Sequence, residues 1–191
     1  MDALMAALIA AALAHLGEKT AWLAALLADR FRPTVVIVGA AIALAINYAL
    51  AAAAGAIAAP ILSPNARLLL VALALLLAAA GAPFAPKRPD ALAGWRIGGL
   101  LTASLGLFIM AFGDATQFLA AAFAARSAGV ASGPWLAAVG ATLGSLAVVA
   151  PAALLGEAGW RRLPLGAMRW GSGGVLLLAG IMLGLSALRL T

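Results

Sequence analysis

Residues 12–30 read ALAHLGEKTAWLAALLADR, and residues 108–126 read FIMAFGDATQFLAAAFAAR. The two stretches align without a gap at an offset of 96 residues. The paired positions are Gly17 with Gly113, Glu18 with Asp114, Thr20 with Thr116, Leu23 with Leu119 and Arg30 with Arg126. Farther along, the triplet VGA at 38–40 recurs at 139–141, at an offset of 101. The chain therefore consists of two related halves.

The composition around these stretches is that of a membrane protein. Of the 191 residues, 66% are hydrophobic and only 9% are charged, and the mean hydropathy is +1.13. A soluble domain carries about a quarter charged residues, so a soluble or disordered chain is excluded. The basic residues form short clusters between apolar runs, which is how membrane loops are charged. We therefore expect no nucleic acid among the partners.

Six apolar stretches are long enough to cross a membrane, because a hydrocarbon core of about 30 Å requires ~20 helical residues. They lie near 3–28, 34–58, 67–85, 97–125, 134–155 and 171–189. Proline and glycine separate them, for example in PFAPKRPD at 83–90 and GWRRLP at 159–164. The first stretch lacks a basic segment before it, so we expect a retained span and not a cleaved signal peptide. The predicted fold is all-α.

The basic residues predict the orientation of the spans. Eight of them fall in the first, third and fifth loops: Arg30, Arg32, Lys87, Arg88, Arg96, Arg161, Arg162 and Arg169. The opposite side has three: Arg67, Arg126 and Arg189. Since Lys and Arg concentrate in cytoplasmic loops, we expect the odd loops in the cytoplasm and both termini outside, in a bacterial inner membrane.

Each half holds three spans, so the second half enters the membrane from the opposite side. We assign residues 1–85 to the first repeat, 86–96 to a cytoplasmic linker and 97–191 to the second repeat. Inverted repeats are typical of secondary transporters, in which the substrate site lies near the midplane where the repeats meet. An old duplication retained only for packing is the alternative.

The matched stretches carry nearly all ionisable groups at membrane depth. Such groups are costly in lipid and usually face a cavity or a partner. His15 and Glu18 are three residues apart, on one helical face, and Asp114 and Gln117 repeat that spacing. Thr20 and Thr116 add hydroxyl oxygens. We expect these six side chains to bind a cation and couple it to protons, with Glu18, Asp114 and His15 as the metal ligands.

Other residues near the motifs have less specific roles. Gly17 and Gly113 precede the two acids, where glycine lets another backbone approach closely or lets the helix loosen. Lys19 either pairs with an acid or extends between helices. Asn47 is either an accessory ligand or an interhelical hydrogen-bonding residue. The chain has no cysteine and a single histidine, which excludes disulfides, thiolate metal sites and a multi-histidine cage.

The segments LAHLGEKT and MAFGDATQ resemble the duplicated E-x-G-D-[KR]-[ST] signature of the transmembrane-protein-165 (GDT-type) family. These proteins are Golgi-type Ca²⁺/Mn²⁺–proton antiporters of the lysine-exporter superfamily. The similarity extends over nearly the whole chain, including ADRFRP after the first span and RRLPL after the fifth. The resemblance implies a six-span exchanger whose two motifs face each other, so that Glu18 and Asp114 share one cation near the midplane.

Both motifs depart from this signature. His15 replaces the leading glutamate of the first motif and Glu18 its aspartate, while Ala111 and Ala115 replace the leading glutamate and the basic residue of the second. With His15 neutral, the two motifs sum to −1 instead of −2. Lower ligand charge weakens binding of hard cations. A weaker divalent site, a different cation, a preference of the imidazole for Mn²⁺ over Ca²⁺ and an inactive relative all stay open.

The sequence thus predicts a transporter that exchanges Mn²⁺ or Ca²⁺ for protons, with no enzymatic activity and no resident cofactor. The partners we expect are membrane lipid, the metal cation and protons, and association into a homo-oligomer stays open. The alternative is a structural or regulatory membrane protein that retains the fold without transport.

Overall fold

A computed structural model of the chain describes residues 2–84 and 86–189. Within them it contains eight α-helices and no β-strand, which confirms the prediction of an all-α membrane protein. The helices are α1 (Asp2–His15), α2 (Lys19–Arg30), α3 (Pro33–Ala58), α4 (Pro64–Gly81), α5 (Gly99–Ala111), α6 (Ala115–Ser127), α7 (Gly133–Arg162) and α8 (Leu165–Ala187). A 3₁₀ turn, Ala59–Ile61, extends α3.

Four helices are long and apolar enough to cross a membrane individually: α3 with its 3₁₀ turn, α4, α7 and α8. The pairs α1–α2 and α5–α6 qualify only as pairs, because each of these helices has 12 to 14 residues and is too short by itself. Helices α1 and α2 meet at 69°, and α5 and α6 at 73°. Counting each bent pair as one span gives six, as expected. The order of bent pair, long helix and second long helix is the same in both halves of the chain.

The ends of the long helices follow from local sequence. Proline occupies the first or second position of α3, α4 and α7, where its missing N–H costs no helical hydrogen bond. Ser63 caps α4, since its Oγ accepts a hydrogen bond from the Ala66 N–H at 3.2 Å. The break predicted at 159–164 is shorter in the structure, because α7 reaches Arg162 and α8 begins at Leu165.

Glycine lets helices of different halves pack backbone to backbone. A Cβ atom at Gly140 or Gly144 of α7 would collide with the carbonyl oxygens of Leu4 and Leu8 in α1. At the equivalent position of the first half, Gly39 of α3 packs against Ala103 of α5. Close approach through small residues is the usual means of helix association in lipid, because dispersion contacts and not hydrophobic exclusion hold the helices together.

The perimeter of the bundle is apolar. Ile57, Ile61, Leu178 and Met182 are among many large hydrophobic side chains that are mostly exposed. In water such a surface would be an association hazard, whereas in a bilayer it contacts lipid tails. Exposed apolar side chains around buried alanines therefore agree with the hydropathy of the sequence.

The side of the molecule that carries the α4–α5 linker is held by polar contacts. The Arg30 guanidinium donates hydrogen bonds to the carbonyl oxygens of Leu92 at 2.7 Å and Trp95 at 2.8 Å. Arg88 of the linker forms an ion pair with Glu157 of α7 at 2.8 Å. This linker side therefore connects both halves of the chain.

Helix α7 is interrupted on the same side at Gly156, which has φ 64° and ψ −178°. The next N–H, that of Glu157, donates a hydrogen bond at 3.1 Å to the Asp29 carboxylate at the end of α2. Asp29 thus caps the last segment of α7 from a different helix. Only glycine adopts this backbone conformation readily, which explains the residue at the break.

Candidate functional site

The two matched motifs form the breaks within the bent helix pairs. Gly17 and Gly113 have φ values of 74° and 77°, in the left-handed region that ends a helix and favours glycine. Glu18 and Asp114 follow as the N-cap residues of α2 and α6. Each acid therefore lies at a helix N-terminus, where the helix dipole and free N–H groups stabilise negative charge. The predicted loosening at the two glycines is observed as a break.

Asp114 is firmly positioned by its own motif. Its Oδ1 accepts a hydrogen bond from the Gln117 N–H at 2.7 Å, and its Oδ2 accepts one from the Thr116 hydroxyl at 2.9 Å. The Gln117 Oε1 in turn accepts the Gly113 N–H at 2.6 Å. These reciprocal bonds fix the break, and they bring three predicted site residues together.

Glu18 has no equivalent support. Its side chain does not cap α2. Thr20 follows Glu18 by two residues and is buried, just as Thr116 follows Asp114 by two residues and is buried. Lys19 is exposed and forms no ion pair with the residues that the structure describes. The longer glutamate is thus free of the local bonds that restrain Asp114.

A chain of buried polar side chains connects the two motifs. The Tyr48 hydroxyl of α3 lies 2.7 Å from the Ser145 Oγ of α7, and the same Oγ lies 3.3 Å from Nδ1 of His15. All three residues are fully buried. Tyr48 also lies near Thr116 and Asp114.

His15, at the other end of this chain, lies near Glu18. The hydrogen bonds thus join Tyr48, Ser145 and His15, and the two ends of this chain adjoin the two motifs. Tyr48 and Ser145 were not among the residues that sequence reasoning selected. Their signal was a lone hydroxyl within a long apolar run, which is too common in membrane helices to indicate a site by itself.

Two predicted residues retain polar atoms without a partner. The Nε2 of His15 and both amide atoms of Asn47 are buried and form no hydrogen bond with described residues. An unpaired buried polar atom is costly. The Asn47 Oδ1 and an unprotonated His15 Nε2 can bind a cation, whereas the Asn47 Nδ2 can only donate a hydrogen bond, for example to water. Asn47 adjoins Tyr48 in sequence, so its position in α3 lies at the level of the connecting chain.

The two acids border different spaces. Glu18 lines a crevice of about 10 Å³ between α1, α4 and α8, while Asp114 lines a groove of about 480 Å³ between α3 and α6. Within residues 2–84 and 86–189, no three histidine, aspartate or glutamate side chains lie close enough to hold one metal ion. A cation shared between Glu18 and Asp114 therefore stays a prediction.

Comparison with known proteins gives two matches. A family model described as "Divalent cation/proton antiporter GDT1" matches residues 3–87 and 99–190, which leaves out the linker. A protein of Vibrio cholerae serotype O1 described as "Putative manganese exporter" is 35% identical over 183 residues, covering 95% of this chain and 90% of that protein. No solved structure matches the chain.

Proposed function

Since the chain belongs to the GDT1 family of divalent cation/proton antiporters, we propose that it exports Mn²⁺ in exchange for protons. The family is one of transporters, and the helices are those of an integral multi-pass membrane protein. The relative described as a manganese exporter covers nearly the whole chain and supports Mn²⁺ over Ca²⁺.

The residues at the two breaks also favour Mn²⁺. Ca²⁺ prefers six to eight oxygen ligands and several carboxylates, whereas the motifs supply Glu18 and Asp114 only. Imidazole nitrogen suits transition metals better than Ca²⁺, and His15 occupies a position at which the family signature has glutamate. We propose Glu18, Asp114 and His15 as the Mn²⁺ ligands, with Thr20, Thr116, Gln117 and Asn47 as supporting oxygen donors. Because the three ligands do not converge among the described residues of this conformation, the proposal requires them to come together in another conformation of the cycle.

The observation that carries the proposal is the placement of one acid at each helix break. A break exposes backbone N–H and carbonyl groups at membrane depth, where transporters bind their substrates. The carboxylates can hold either a cation or protons, so the two compete and exchange becomes coupled. The polar chain through Tyr48 and Ser145 connects the two breaks, and we propose that both acids take part in one cycle.

The alternative is a membrane protein that keeps the fold without transport, favoured by the loss of one acid from each motif. Reconstituted vesicles distinguish the two. With Mn²⁺ inside and an acidic exterior, a transporter releases Mn²⁺ while the interior acidifies. A protein without transport leaves both signals at the level of empty vesicles.

Asp114→Asn is the decisive variant in this assay. An asparagine oxygen still accepts the Gln117 N–H, so the helix cap is retained while the negative charge is lost. We expect Mn²⁺ release and proton uptake to fall together to background. Asp90→Asn, which changes an exposed carboxylate of the linker, should transport at the parent rate. Normal transport by Asp114→Asn would exclude the proposed mechanism.

A further inference from the structure

Arg169 of α8 lies across the first helix break. Its Cγ and Cδ atoms occupy the space that a side chain at residue 17 would need. Its Nη2 donates a hydrogen bond to the Ala82 carbonyl oxygen at 2.6 Å, just beyond the end of α4. Carbonyl groups at a helix C-terminus lack helical partners and attract cations. Arg169, in the second repeat, thus packs over Gly17 and bonds to Ala82, which both belong to the first repeat.

This position makes Arg169 a wall of the Glu18 crevice, which it lines together with Gly81, Ala82 and Ser172. The crevice volume is about 10 Å³, whereas one water molecule needs roughly 10–15 Å³. A hydrated cation therefore has no room beside Glu18. The nearby guanidinium also repels any cation that approaches from the linker side.

The second break has no such cover. Among the described residues, no atom outside the immediate chain lies within 4 Å of the position of a Cβ at Gly113, and Gly113 is exposed. Asp114 borders the groove of about 480 Å³. The two breaks have the same local sequence pattern, but an arginine of the other repeat covers only the first break. Such an asymmetry is what alternating access requires of inverted repeats.

The first repeat contains an arginine at the corresponding place. Arg67 lies in the first turns of α4, as Arg169 does in α8. Arg67 folds back onto its own half, donating hydrogen bonds from Nη2 to the Ala59 carbonyl at 2.8 Å and from Nε to the Leu62 carbonyl at 3.2 Å. One arginine of the pair is therefore extended across a break and the other is withdrawn.

We propose that Arg169 and Arg67 are alternating gate residues of the exchange cycle. Arg169 closes the Glu18 crevice on the linker side in this conformation. When the repeats exchange conformations, Arg169 withdraws from Gly17 and Arg67 extends across Gly113 toward the C-terminal carbonyls of α8. The inference rests on the proposed function, since a gate has meaning only in a transporter, but its test does not require transport.

Cysteine accessibility tests the gate, because the chain has no native cysteine. Ser172→Cys places a thiol in the Glu18 crevice, and Ala54→Cys places one in the Asp114 groove. Each protein is placed in lipid nanodiscs, which expose both membrane faces, and is modified with a small methanethiosulfonate reagent. We expect the thiol at 54 to react at least tenfold faster than the thiol at 172.

Arg169→Ala should then increase the reaction rate of the thiol at 172 at least tenfold and leave the thiol at 54 unchanged. The matched control is Arg162→Ala, which removes an exposed positive charge from the end of α7 and should change neither rate. Arg169→Lys serves if the alanine variant fails to fold. Lysine keeps the charge but has a shorter reach and no fork of N–H groups, so we expect an intermediate increase.

The reaction rates of the two thiols are then measured with saturating Mn²⁺ at varied pH. A purely structural arginine would not change how these rates respond to Mn²⁺ and pH. If the gates alternate, conditions that raise the reactivity at residue 172 lower it at residue 54, and Arg67→Ala weakens the protection at 54. Equal reactivity at 172 with and without Arg169 would overturn the proposal. An absence of Mn²⁺ release in vesicles, with the Arg169 effect intact, would instead reject the proposed function alone.

Discussion

The Tyr48 hydroxyl and the Ser145 Oγ are 2.7 Å apart, although 97 residues separate them in the chain. They belong to equivalent long helices of the two halves, α3 and α7, but not to equivalent positions. Ser145 also contacts His15, while Tyr48 lies near Thr116 and Asp114. This single hydrogen bond therefore joins the surroundings of one motif to those of the other.

The Tyr48 and Ser145 side chains should be energetically coupled in a double-mutant cycle. Tyr48→Phe and Ser145→Ala each remove one partner of a buried hydrogen bond, so we expect each to lower the free energy of unfolding by about 0.5–1.5 kcal/mol. The double variant should cost less than the sum, with a coupling energy of at least about 0.5 kcal/mol. Unfolding in mixed micelles gives these values.

The control for this cycle is Thr102→Val combined with Tyr48→Phe. The Thr102 hydroxyl is buried and has no hydrogen-bond partner in the part of the chain that the structure describes, so its removal should be neutral or stabilising and additive with Tyr48→Phe. Strict additivity of Tyr48→Phe with Ser145→Ala would show that the two hydroxyls do not interact.

His15 should determine the choice between Mn²⁺ and Ca²⁺. His15→Gln offers an amide in place of the imidazole, and an amide oxygen suits Ca²⁺ better than Mn²⁺. We expect the ratio of Mn²⁺ to Ca²⁺ transport rates in vesicles to fall about tenfold, within the range by which altered metal surroundings change affinity. His15→Ala should lower Mn²⁺ transport while leaving it measurable. An equal loss for both ions would restrict His15 to a packing role.

Gly156 should tolerate no side chain. Its backbone conformation costs other residues roughly 1–3 kcal/mol, and a Cβ would collide with the Asp29 carboxylate that accepts the Glu157 N–H. We therefore expect Gly156→Ala to lower the thermal unfolding midpoint. Gly166→Ala is the matched control, because Gly166 is helical and has open space around it. That control should be neutral or up to about 1 kcal/mol more stable. An unchanged midpoint for Gly156→Ala would argue against this local geometry.

The linker should face the cytoplasm. Lys87 is exposed and lies among the eight basic residues of the odd loops. Lys87→Cys provides a unique thiol for an impermeant reagent. We expect labelling of inside-out membrane vesicles and none of intact cells, because positively charged loops remain inside. Labelling of intact cells would show that the linker faces outward and that both termini lie in the cytoplasm.

Much of the fold could be predicted because lipid imposes simple constraints. Apolar length predicted six spans, and proline and glycine between them predicted the connections. The glycine before each acid indicated a weak point, since only glycine enters the left-handed region without strain. The predicted end of the fifth span was less accurate. Gly156 interrupts α7 one residue after the predicted end of the fifth span at residue 155, but the helix resumes to Arg162 because Asp29 caps it from α2.

The sequence by itself determined the membrane environment, the repeated halves and the acids at the two breaks, because these depend on composition and on local backbone preference. Only the tertiary structure decided that Glu18 lies in a narrow crevice under Arg169 and Asp114 beside a wider groove, and that Tyr48 and Ser145 lie between the motifs. The two related segments differ here because side chains from distant helices, above all Arg169, surround one and not the other. Contacts between separate helices depend on how the helices pack, and no local pattern in the chain specifies them.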